Sequence, residues 1–144
     1  YFESEADQEF KLAKTILEDE IWNKIRIDPG SLPTGTLQII PSMEYTRLHH
    51  IEFKAYEATP SLTNYGALTN YTISYPTLDR TLEINFSAKF PYTIENWSET
   101  ATSGFGTGAK QLTTRATKIK TLNTPYWQEN HNRDLFLRDS LGLK

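Results

Sequence analysis

The chain has 144 residues, with 15 Lys and Arg against 18 Asp and Glu, a formal net charge of −3, 38% hydrophobic residues and 12% aromatics. One domain's worth of chain with that much apolar material is not a disordered tail, and the weakly acidic balance excludes the concentrated basic stripe of a nucleic-acid binder. The absence of cysteine excludes disulfides, thiolate nucleophiles and Cys-ligated metals, and no apolar run approaches the roughly 18 residues of a membrane helix.

The chain opens Tyr1-Phe2-Glu3 rather than with Met, which reads as a mature product or a piece of a longer protein. Ser4 and Asp7 have capping-box spacing, and Phe10, Ala13, Leu17 and Ile21 then recur every three or four residues. This predicts a helix that ends by about residue 27, before Asp28-Pro29-Gly30.

The pattern then turns to strands. Residues 36–40 make a short β-type run stopped by Pro41, and residues 44–58 alternate over their whole length. One face of that long strand would carry Tyr45, Arg47, His49, Ile51 and Phe53. Residues 59–67 read as a loop with Pro60 and Gly66 as breakers, and 70–75 as a further strand. After the turn Pro76-Thr77-Leu78-Asp79, residues 81–88 alternate cleanly, with Leu82, Ile84 and Phe86 facing in, so that the two strands form a hairpin. Residues 90–97 continue as extended chain interrupted by Pro91, 98–109 form a Ser/Thr/Gly loop, and 112–122 form a Thr-rich strand exposed on one side. Thr124-Pro125 then opens an irregular helical tail anchored by Tyr126, Trp127, Leu135, Phe136, Leu137 and Leu141. The expected fold is α+β or mainly β. It is a single domain, 1–144, with an antiparallel sheet of about five or six strands flanked by N- and C-terminal helices.

Few residues point to chemistry. Gly104, Gly106 and Gly108 miss the spacing of a phosphate-binding loop, and no helix follows them. His49 and His50 would lie on opposite faces of a strand, so they cannot share a metal, and no metal or cofactor is implied. Tyr45, Arg47 and His49 on one face would suit a carboxylate, a sulfate or a sugar hydroxyl, or would simply be the polar end of a strand face. Trp97 with the loop carrying Gly104, Phe105, Gly106 and Gly108 would suit a contact surface. No paired carboxylates and no serine elbow emerge, so no catalytic residue is assigned. Three Asn-x-Ser/Thr triplets begin at Asn70, Asn85 and Asn96, and they matter as modification sites only in a glycosylating pathway.

Several stretches are similar to a known family. These are Leu32-Pro33-Thr34-Gly35, Ile40-Pro41-Ser42-Met43-Glu44-Tyr45-Thr46-Arg47-Leu48-His49-His50, Tyr75-Pro76 with Arg80-Thr81-Leu82-Glu83-Ile84, Phe90-Pro91-Tyr92-Thr93-Ile94-Glu95-Asn96-Trp97 and Tyr126-Trp127. They resemble secreted lipoproteins of Bacteroidetes often labelled septum-formation inhibitors of the Maf type, with this chain matching the C-terminal half. The Ser-rich nucleotide-binding turn of the Maf pyrophosphatases is missing here, and the resembled family has no established catalytic residues to carry over. It implies a place in the periplasm or on the outer-membrane surface of a Gram-negative cell, held by a lipid anchor outside this chain. It also implies as partner another envelope protein or the N-terminal half. Three classes remain open: a non-catalytic interaction or structural domain, a glycan or small-ligand module, and a hydrolase using the Arg47/His49 face.

Overall fold

The computed structural model describes residues 9, 11–104 and 106–143. Seven strands form one sheet in sequence order: β1 (Ile16–Leu17), β2 (Leu37–Ile40), β3 (Tyr56–Tyr65), β4 (Leu68–Tyr75), β5 (Arg80–Ser87), β6 (Ile94–Ser103) and β7 (Lys110–Thr117). β1 and β2 are parallel and joined through helix α1 (Glu18–Ile27); every later neighbour is antiparallel. Helix α2 (Met43–Leu48) lies between β2 and β3, and α3 (Phe136–Leu141) closes the chain.

The first helix is shorter than the periodicity predicts. The early positions Ser4, Asp7 and Phe10 lie outside the described residues, while Ile16 and Leu17 are extended and pair with Ile39 and Ile40. α1 therefore begins at Glu18. Three acids open it and Lys24 and Arg26 close it, matching the helix dipole, and Glu20 reaches back to accept from the Leu17 N–H at 3.3 Å. Ile21 and Ile25, one turn apart, bury its inner face. The other elements on that side of the sheet are short. The tail has 3₁₀ turns at Tyr126–Gln128 and Asn132–Asp134 before α3, not a continuous helix.

β4 and β5 follow their period of two. Tyr71, Ile73 and Tyr75 of β4 and Leu82, Ile84 and Phe86 of β5 are buried together against α1. The expected loop at 59–67 is instead most of β3. Pro60 fits there because β3 is an edge at that point. Its carbonyl points away from β4 and accepts from the Gly35 N–H at 3.0 Å, so an N–H on that side of the ladder is not needed. The first half of the expected loop at 98–109 is likewise strand, the end of β6, and the turn to β7 is confined to 104–109.

The opposite face of the sheet is polar. Register aligns Asn70, Asn85, Asn96 and Thr117 in one row, Thr72, Glu83, Ser98 and Arg115 in the next, and Ser74, Thr81, Thr100 and Thr113 in a third. Without an apolar centre, this face is built for water.

Candidate functional site

The largest departure from the sequence reading falls on the predicted ligand face. Residues 43–48 are helix, not strand. Ser42 caps α2 by accepting from the Tyr45 N–H at 3.1 Å, and the Asp19 carboxylate accepts from the Met43 N–H at 3.1 Å, fastening α2 to α1. Helical geometry separates the expected trio. Tyr45 and His49, four residues apart, stack with ring centroids 4.0 Å apart and planes at 25°. Arg47 is exposed and borders a different surface depression, with Met43, Ile51 and Phe53.

Beneath Tyr45 lies a cluster that no local pattern announced. Arg80, at the start of β5, donates from Nη1 and Nη2 to the two oxygens of Glu18 at 2.5 and 2.7 Å, and from Nε to Glu99 at 2.6 Å. The Tyr75 hydroxyl donates to Glu18 at 2.7 Å, and the guanidinium carbon sits 4.2 Å from the Tyr45 ring centroid and 5.2 Å from that of Tyr75. Every donor nitrogen of Arg80 thus has a carboxylate partner, and its planar fork is what makes this double engagement possible. Burial alone would lower the Arg80 pKa. The hydrogen bonds and charge of Glu18, joined by Glu99, reverse that and hold it above its ordinary value. Burial raises the Tyr75 hydroxyl pKa, and the neighbouring Glu18 carboxylate raises it further. Tyr45 is raised by burial too, with Arg80 opposing.

A cleft of about 280 Å³ opens over this cluster, between α2 and the inner faces of β6 and β7. Tyr45 and His49 form one wall, Trp97 and Glu99 the floor, and Leu112 and Thr114 the far side. Trp97 also meets Trp22 of α1 edge-on, with centroids 6.2 Å apart and planes at 81°.

Trp97 does not join the glycine loop. It faces Ala116 across the β6–β7 ladder, whereas the loop follows Ser103, six residues or about 20 Å further along the strand. Gly104 and Gly106 take positive φ (91° and 58°), as that tight connection requires, and Phe105 lies outside the described residues. Among the described residues no three His, Asp or Glu side chains come together as a metal site, and no helix is long and apolar enough to cross a membrane.

The three Asn-x-Ser/Thr triplets have a structural explanation. Asn70 donates to Asn85 at 3.0 Å and Asn85 to Asn96 at 2.7 Å, so the three asparagines are one cross-strand ladder on the polar face. The intervening Tyr71, Phe86 and Trp97 point to the helix side. The triplet pattern is the period of a strand with one polar and one aromatic face.

Beyond β7 the chain buries nothing. No residue in 118–143 reaches the core, and Ile119, Tyr126, Trp127, Leu135 and Phe136 are all more than half exposed. No protein-family model matches the chain, and no match was found among curated proteins or solved structures.

Proposed function

We propose that this chain is a non-catalytic interaction domain of a cell-envelope lipoprotein of the Bacteroidetes kind it resembles, docking a protein partner through the segment that follows β7. The observation carrying this reading is the apolar content of 118–143. Ile119, Tyr126, Trp127, Leu135 and Phe136 lie within eighteen residues of one another and face solvent. A six-residue helix such as α3 does not hold its own fold in water, and clustered exposed apolar groups mark contact surfaces. The partner is another envelope protein or the N-terminal half of the longer protein.

Geometry favours this reading over its two rivals. A glycan platform needs coplanar exposed rings, but Tyr126 and Trp127 meet at 81° and Phe90 and Tyr92 at 87°. A hydrolase using the Arg47/His49 face would need Glu83 or Glu95 to converge on it. Glu83 accepts from Ser98 on the polar face, and Glu95 pairs with Lys118 at 2.6 Å.

The test is affinity purification of the full-length, membrane-extracted protein beside its Trp127→Ser/Phe136→Ser variant. A stoichiometric partner kept by the parent and lost by the variant supports the reading. If the N-terminal half is the partner, Trp127 of the parent is shielded from acrylamide quenching, and the single variant Phe136→Ser makes it accessible. A monomer with Trp127 freely quenched overturns it.

A further inference from the structure

We infer that the cleft between α2 and β6–β7 is a binding site for a small organic cation, a primary or quaternary ammonium compound with a slim apolar body. The charges of the ion cluster do not sum to zero. Glu18 and Glu99 contribute two negative charges and Arg80 one positive. Arg80 and Glu18 are sealed, with side chains 1% and 2% exposed, whereas Glu99 remains 26% exposed and forms part of the cleft floor. The surplus negative charge therefore faces the cleft. Glu44 at the rim adds another, and no Lys or Arg among the described residues lines the cavity.

The walls suit the same ligand. Trp97 offers an electron-rich ring beside the carboxylate, the pairing that recognises ammonium groups, and Leu112 offers an apolar side for an alkyl body. Tyr45 is not part of that recognition: Arg80 lies 4.2 Å from its ring centroid and His49 stacks on it at 4.0 Å, so it serves as a buried wall. At about 280 Å³ the cleft lies at the lower end of small-ligand sites, sized for a head group and a few methylenes. An anion finds no welcome there. It would meet Glu99 and Glu44, and Arg80 has committed Nε, Nη1 and Nη2 to carboxylates. The ligand class is thus opposite in charge to the one that Tyr45, Arg47 and His49 suggest when placed on a strand.

The experiment titrates the ¹⁵N-labelled protein with n-butylamine, butan-1-ol and butyrate, following the Trp97 indole and the Tyr45 and Leu112 amides. Butylammonium is expected to saturate these shifts at least about 10-fold more tightly than butan-1-ol, and butyrate to leave them unmoved. Glu99→Gln is expected to erase that preference. Because Glu99 also holds Arg80, Thr114→Trp serves as a second variant. Thr114 is exposed on β7, outside the ion cluster, and a large ring there fills the cleft mouth. It is expected to abolish butylammonium binding with an unchanged melting temperature. Equal affinity for butan-1-ol, unchanged binding by folded Glu99→Gln or Thr114→Trp, or no shift with any probe overturns the inference. None of these readouts depends on a protein partner, so this site and the docking segment stand or fall separately.

Discussion

Glu18 and Arg80, 62 residues apart in the chain, form a bidentate pair at 2.5 and 2.7 Å that ties the first turn of α1 to the start of β5. Both side chains are sealed from water, and Glu99, Tyr75 and Tyr45 complete the surround. The pair fixes where α1 lies across the sheet, and with it the floor on which α2 rests.

Removing both members should therefore cost less than the two single removals added together. Arg80→Leu strands the Glu18 carboxylate in a dry site, an expected loss of about 3–5 kcal/mol. Glu18→Leu/Arg80→Leu removes the stranded charge and should lose clearly less than the sum of Glu18→Leu and Arg80→Leu. Urea unfolding of the three variants checks this, and strict additivity would show that the pair does not act as a unit.

Alkaline pH should unfold the protein. Burial raises the hydroxyl pKa of Tyr71, Tyr75 and Tyr45, so the folded state keeps protons that the unfolded state gives up above its ordinary value of about 10. Their stabilisation is fully present below pH 10 and is lost as pH rises through the folded-state values. Melting temperature should be flat with respect to these groups from pH 8 to 9.5 and fall above 10. Phenolate absorbance from three of the eight tyrosines should appear together with unfolding.

The asparagine ladder gives a sharper test of register. Asn85 is its middle rung, accepting from Asn70 and donating to Asn96. Asn85→Ala should cost about 1–2 kcal/mol. Asn123→Ala, at an exposed position beyond β7, should stay within about 0.5 kcal/mol of the parent in the same denaturant series.

Trp22 and Trp97 join α1 to β6 by an edge contact. A double-mutant cycle with Trp22→Leu and Trp97→Leu should return a coupling energy of about 0.5–1.5 kcal/mol. A coupling near zero would mean that the ring contact adds nothing to what the ion cluster and the buried Ile21 and Ile25 already hold.

The strands visible in the sequence were those whose two faces differ most. Leu82, Ile84 and Phe86 alternate with Glu83, Asn85 and Ser87, and no other period accommodates them. β3 was hidden because Pro60 and a run of Ser and Thr look like a loop, until the partner strand and the Gly35 N–H account for the backbone. α2 was hidden because six residues hold too little pattern to separate a period of two from 3.6. Ser42 as cap, with Glu44 in the first turn, was the signal available. The same ambiguity placed Arg47 beside Tyr45 and His49, although only the latter two meet.

Local chemistry alone therefore determined a largely β chain, the β4–β5 hairpin and its inward face, and the stop after α1, because alternation and proline act within a few residues. Tertiary structure decided the β1–β2 pairing, the Tyr45–His49 stack and the Glu18–Arg80–Glu99 cluster beneath the cleft. Those depend on burial, which strengthens charge pairing between groups far apart in the chain, and the spacing of residues along a sequence carries no record of burial.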